Sequence, residues 1–228
     1  NFASLVGALH ENGMRVMLDG VYNHASWQHP FWQDVLKNGE KSAYFDWFCG
    51  VSMEVLRGKT SKELTADVMR GEKPFESFAF AADMPKWNTE NPAVQDYLIG
   101  TAAEWTRKYG VDAWRLDVPD EVSFRFLEHF KKRIRETNPE AYIIGEIWQK
   151  STAWLRAGVF DGAMDYPLYF AIRDFAMKRT DGVETFAERV KDVFLSAPDC
   201  VRPRQLAFCG NHDIPRPLTV CGGDTDRL

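Results

Sequence analysis

What this sequence has little of narrows it first. It holds four cysteines in 228 residues, Cys49, Cys200, Cys209 and Cys221, and no two are spaced as C-x-x-C. That pattern carries no zinc-ribbon or dithiol redox motif and is too sparse for a disulfide framework, so buried free thiols are expected. Its five histidines form neither His-x-His nor H-E-x-x-H, and no G-x-G-x-x-G or G-x-x-x-x-G-K-[ST] run is present. The usual zinc-hydrolase and phosphate-cradle signatures are therefore missing. No apolar run approaches the ~18 residues of a membrane span. Positive charge is not in excess either: 28 Lys and Arg stand against 33 Asp and Glu, a net charge of −5. Such a balance gives no electrostatic footprint for nucleic acid or an anionic membrane. The opening Asn1-Phe2-Ala3-Ser4 lacks both a methionine and a leader pattern, so the true N-terminus is expected to lie upstream.

What is present is an ordinary globular composition, 45% hydrophobic and 27% charged, long enough for a sizeable core. The 8 Trp, 7 Tyr and 16 Phe suit sugar-stacking surfaces, but a core rich in Phe is the expected use. Helical spacing of Phe2, Leu5, Val6 and Leu9 ends at Asn12-Gly13, and Met14 to Leu18 then reads as a buried strand ending at Asp19. Residues 25–90 show no sustained period and read as an inserted subdomain or long loop. Asn91-Pro92 opens a helix that stops at Gly110. From there strands at 111–116, 141–144, 159–164 and 205–209 alternate with helices at about 122–137, 152–157, 167–179 and 183–195. This alternation predicts a parallel sheet with helices outside. Five strands fit an open doubly wound sheet; a barrel of eight would need further strands before residue 1.

Chemistry collects at the strand ends. The first strand runs into Asp19-Gly20-Val21-Tyr22-Asn23-His24, the second carries Arg115-Leu116-Asp117, the third ends in Gly145-Glu146-Ile147-Trp148, and the last in Gly210-Asn211-His212-Asp213. Sites of parallel α/β folds lie outside the carboxyl ends of their strands. Four such ends supplying carboxylates, two His and an Arg form a constellation. Residues 115 and 117 share one side of a strand, so Arg115 can hold Asp117 ionised and aimed. Clustered carboxylates serve glycoside hydrolysis, metal-assisted hydrolysis and phosphoryl transfer. The third lacks its phosphate cradle. The second stays open, because His24, Asp117, Glu146 and Asp213 could ligate a metal. The first fits best.

These strings resemble the four signature regions of the α-amylase family of glycoside hydrolases: DGVYNH the first, GVDAWRLDV the second, GEIW the third and GNHD the fourth, in matching order. Met84-Pro85-Lys86-Trp87-Asn88 resembles the MPKLN stretch of the neopullulanase, cyclomaltodextrinase and maltogenic amylase subgroup, with Trp87 in place of Leu. The resemblance implies a partial (β/α)8 TIM barrel, about strands three to seven, formed by residues 1–24 and 91–228, with 25–90 as an inserted, domain-B-like subdomain.

It also implies roles. Asp117 is similar to the nucleophile of a retaining double displacement, Glu146 to the acid/base, and Asp213 to the carboxylate that holds the distorted sugar. Arg115 would orient Asp117, and Asp19 would anchor Arg115. His24 and His212 would bind the sugar where the bond breaks. Trp148 would wall the leaving-group side or pack in the core, and Glu121 would join the substrate-binding residues. In the Pro119-Asp120-Glu121 string, where many relatives carry Ala-Asn-Glu, Asp120 would alter the acceptor-side subsites or cap the next helix. The substrate implied is an α-1,4-glucan oligosaccharide, a cyclodextrin or pullulan, with transfer to sugar acceptors by the same intermediate. No cofactor is expected. Calcium is possible in the full-length protein, because Asn23 matches a position that can serve it, but most of its ligands cannot be placed. The subgroup further implies a cytoplasmic location, and it allows a homodimer. The alternatives are a non-catalytic binding module on this fold, or a metal-dependent hydrolase on an α/β barrel.

Overall fold

The computed structural model describes residues 1–72, 74–79 and 81–228, which fall into two compact units, Asn1–Ala141 and Tyr142–Leu228. The first unit opens with helix α1 (Phe2–Glu11), whose N-cap Asn1 accepts from the Ser4 N–H. Strand β1 (Met17–Val21) follows. It starts later and runs further than the apolar run from Met14 implied. It is also not a buried strand: Met17 and Val21 are exposed. Apolar residues alone do not bury a strand; a covering layer must, and among the described residues β1 has only one paired neighbour.

Residues 25–90 carry more order than their lack of periodicity implied. They hold α2 (Pro30–Asn38), α3 (Met53–Leu56) and α4 (Ser61–Met69). The terminal signals of α2 and α4 are clear. His29 caps α2 with Pro30 at its first position, and Thr60 and Glu63 form a reciprocal capping box on α4, satisfying N–H groups that a helix start leaves unpaired. Trp32, Phe48, Phe75 and Trp87 bury together as this segment's aromatic core.

Helix α5 (Pro92–Tyr109) ends at Gly110 in the left-handed conformation, which a residue without Cβ adopts at little cost. Strand β2 (Ala113–Asp117) pairs parallel to β1 in the register Asp19↔Arg115 and Val21↔Asp117. Helix α6 (Phe124–Thr137) lays Phe126, Leu127, Phe130 and Ile134 inward at helical spacing. Burial of each such side chain is worth about 1.5–3 kcal/mol. Tyr22 and Trp114 pack against Phe130, with ring centroids 5.2 and 6.1 Å away, so the core lies between β2 and α6.

The second unit begins with β3 (Tyr142–Gly145), then α7 (Thr152–Ala157) and β4 (Gly162–Ala163), which pairs parallel to β3. Helix α8 (Tyr166–Ile172) widens into a π turn over Arg173–Met177. Helix α9 (Val183–Ser196) and the short α10 (Pro217–Val220) follow. The segment Gln205–Cys209, expected to be a strand, makes only one parallel bridge, Met164↔Leu206. Two ladder bonds hold it: Leu206 N–H to the Ala163 carbonyl at 2.9 Å and Asp165 N–H to the Leu206 carbonyl at 2.9 Å. Two-residue β4 offers no more backbone to pair with. Ile144, Met164, Tyr166 and Tyr169 form this unit's core, with Phe208 against it. The cysteines also depart from expectation. Cys221 is buried, but Cys49 is only half-buried and Cys200 and Cys209 are exposed.

Candidate active site

The parallel register puts Asp19 beside Arg115, and strand alternation puts Asp117 on the same side two residues on. Arg115 Nη1 donates to Asp19 Oδ1 at 2.7 Å and to Asp117 Oδ1 at 2.8 Å. Arg115 is buried, so these carboxylates neutralise a charge that is costly to strip of water. Asp117 is partly exposed and Asp19 half-exposed; the guanidinium anchors from behind and the carboxyl group looks outward. Directly after Asp117 the chain turns: Val118 has φ 41° and ψ 48°, a strained setting for a β-branched residue. That turn ends the strand at the carboxylate.

Of the other residues expected in this unit, His24 lies in the loop after β1 and Glu121 in the turn after β2. The ring of His24 stacks on Phe78, centroids 4.8 Å apart. Burial lowers the His24 pKa from its ordinary value; Glu121 opposes that and Lys86 reinforces it. Glu121 Oε2 accepts from Lys86 Nζ at 3.1 Å and from Asn23 Nδ2 at 3.3 Å. A cleft of about 450 Å³ beside His24 is lined also by Ser26, His29, Asp83 and Tyr97. Sequence reasoning did not single out these four residues, because nothing in the local string links them to a strand end.

In the second unit Glu146 follows β3 at once and is buried. Its Oε1 accepts from Trp148 Nε1 at 2.9 Å and from the Tyr166 hydroxyl at 3.3 Å. Asn211 Nδ2 donates to that hydroxyl at 2.8 Å, while Asn211 Oδ1 accepts from the Asp213 N–H at 2.9 Å. Asn211 thereby ties the Asp213 loop to the Glu146 carboxyl through Tyr166. Burial raises the Tyr166 pKa; the Asn211 hydrogen bond opposes this, and the negative charges of Glu146 and Asp213 add to it. Tyr166 thus stays a donor. Its signal in the sequence was only its place just after the fourth strand. Trp148 is 44% exposed and stacks on Tyr166 at 4.4 Å, so it is a surface ring and not a core one. His212 is largely exposed, with Nε2 3.2 Å from Asp213 Oδ2.

Of the expected residues, the structure gathers Asp19, Arg115 and Asp117 into one group and His24 and Glu121 into a second. Glu146 with Trp148, and His212 with Asp213, form the groups of the other unit.

Calcium takes roughly six to eight oxygen ligands. Asn23 Oδ1 is buried without a partner, yet its amide nitrogen and the Lys86 ammonium already share the Glu121 carboxylate. Among the described residues no three His, Cys, Asp or Glu side chains gather into a ligand set. These residues do not fit a resident calcium.

The family model for the alpha-amylase catalytic domain matches residues 1–228. The chain belongs to that family. It is 38% identical over 224 residues to the maltogenic alpha-amylase of Bacillus acidopullulyticus, covering 98% of this chain and 36% of that protein. It is also 38% identical over 223 residues to the intracellular maltogenic amylase of Bacillus subtilis (strain 168), covering 98% of this chain and 35% of that protein. A solved cyclomaltodextrinase superposes with a TM-score of 0.88 at 38% identity, covering 98% of this chain and 36% of its own. The chain therefore spans little more than a third of these relatives. The expected partial α-amylase barrel with a parallel sheet agrees with these matches. So does the resemblance drawn from the four signature strings.

Proposed function

We propose that the protein containing this chain is a retaining glycoside hydrolase acting on α-1,4 links of malto-oligosaccharides, cyclodextrins or pullulan. The observation that carries the reading is the Asp19–Arg115–Asp117 group, a carboxylate aimed outward from a strand end by a buried guanidinium. In the first step the Asp117 carboxylate attacks the anomeric carbon and forms a glycosyl ester, while Glu146 gives its proton to the departing glycosidic oxygen. In the second, Glu146 takes a proton from water, which attacks the same carbon and releases Asp117. A sugar hydroxyl in place of that water gives transglycosylation. Asp213 and the histidines His24 and His212 hold the sugar as positive charge develops on its ring. Trp148, exposed and fixed by its bonds and stacking, offers a face to the leaving sugar.

The Bacillus subtilis relative is named intracellular, and a cytoplasmic location is the reading that name supports; among the described residues no helix is long and apolar enough to cross a membrane. Homodimerisation of the full-length protein, as the subgroup resemblance allows, belongs to the same proposal.

The test is Asp117→Asn in the full-length enzyme, assayed for reducing ends from maltotriose, β-cyclodextrin and pullulan. Loss of at least about a thousandfold is expected for a missing nucleophile. Turnover within about tenfold of the parent removes Asp117 from that role.

A further inference from the structure

Asn23 poses a question that the proposed chemistry does not use. It is 1% exposed, and its Oδ1 has no hydrogen-bond partner. A buried acceptor without a donor is costly unless something positive stands near it. The segment holding it is clamped to the Met84–Asn88 string by backbone bonds: Trp87 N–H to the Asn23 carbonyl at 3.0 Å and Ala25 N–H to the Pro85 carbonyl at 2.8 Å. His24 and Lys86 face each other there as an antiparallel bridge. From that bridge Lys86 extends inward, with its side chain 18% exposed, to Glu121 in the loop after β2. Three chain segments thus meet at one carboxylate, and the positive charge among them belongs to a lysine.

We infer that Lys86 is the resident cation of this junction. Its ammonium occupies the place and does the work of a divalent ion, tying the 25–90 segment to the loops that carry His24 and Glu121 without metal. A single positive charge balances the single carboxylate of Glu121. A cleft of about 400 Å³ reaches Lys86 and Glu121 from outside, so solvent ions have access, and the ammonium repels a second cation on arrival. Lys86 is a positioning residue: it fixes Glu121 and Asn23, and through the backbone bridge it fixes His24. The inference concerns the junction itself and stands whether or not the chain's carboxylates cleave glucans.

The test uses the full-length protein, with calcium content by metal analysis and melting temperature in EDTA and in millimolar calcium. Glu121→Gln is expected to leave the parent's bound calcium unchanged, because the junction holds none. Lys86→Met is expected to lower the melting temperature by about 1 °C or more, equally in EDTA and in calcium. Lys86→Asp replaces the ammonium by a carboxylate on the chain segment facing Glu121, and with Glu121 and the amide of Asn23 it supplies oxygens suited to calcium. It should bind one more calcium than the parent and recover its melting temperature only in calcium. Lys86→Arg, which keeps the charge, should stay near the parent and keep the readout if the other variants fold poorly. Loss of one bound calcium in Glu121→Gln would overturn the inference. A parental melting temperature in Lys86→Met, or a calcium response of Lys86→Asp no larger than the parent's, would do the same.

Discussion

One guanidinium serves two carboxylates at Arg115, and that sharing decides what the residue tolerates. Both bonds leave one nitrogen, Nη1, whose two N–H groups are held in the guanidinium plane; a lysine ammonium is a rotating point charge on a shorter stem and does not keep both directions fixed. Arg115→Lys should therefore cost activity while the protein still folds. Tyr166 has a smaller part. Removing its hydroxyl deletes one hydrogen bond to Glu146 and one from Asn211. Tyr166→Phe should lower kcat by about 2–10-fold, the worth of one neutral hydrogen bond. Initial-rate kinetics on maltotriose check this, and an unchanged kcat removes Tyr166 from the positioning of Glu146. His24 and His29 both have pKa values lowered by burial. Below the ordinary value of 6.5 the unfolded chain takes up protons that the folded chain refuses, so stability falls with pH in that range. Urea melts between pH 7 and pH 5 should show the decline, and His24→Gln should flatten it. Stability of the parent that rises toward pH 5 would contradict this sign.

At the scale of elements, the ends of structure were more legible than the middles. Asn91-Pro92 and Gly110 delimit α5, and the Phe126, Leu127, Phe130 and Ile134 spacing delimits α6, because caps and apolar faces are local chemistry. The pairing of Arg115 with Asp117 was legible for the same reason: alternation puts them on one side. Helices α2 and α4 escaped because their apolar faces are short, although Pro30 and the Thr60–Glu63 box mark their starts. The segment Gln205–Cys209 has strand composition but too little neighbouring backbone to form a strand. The link through Tyr166 and Asn211 was invisible because its ends lie 45 residues apart in the chain. Gly162 shows what pairing in so short a strand demands. A Cβ there would meet the carbonyl of Arg204, and a backbone atom cannot step aside as a side chain can. Gly162→Ala should cost about 1–3 kcal/mol, as overpacking does, measured by denaturant unfolding; a loss below about 0.5 kcal/mol would show that the 200–206 segment yields.

For the whole molecule, the outward apolar surface is as informative as the core. Met17 and Val21 on β1, and Val183, Phe194 and Leu195 on α9, are exposed, and the chain spans little more than a third of its relatives. Unpaired strand edges and apolar faces of this kind drive association. The 228 residues expressed alone should therefore appear as oligomers or aggregates in light scattering, and a stable monomer with a cooperative melt would contradict that. The central claim is that Asp117 becomes covalently bound to sugar. The most direct measurement uses the full-length Glu146→Gln variant with α-maltosyl fluoride, whose fluoride leaves without an acid, whereas breakdown of the ester still needs a base. After an acid quench and digestion, mass spectrometry should find a maltosyl group on the peptide that carries Asp117. Fluoride release with no labelled peptide, or a label on a peptide without Asp117, would contradict the account.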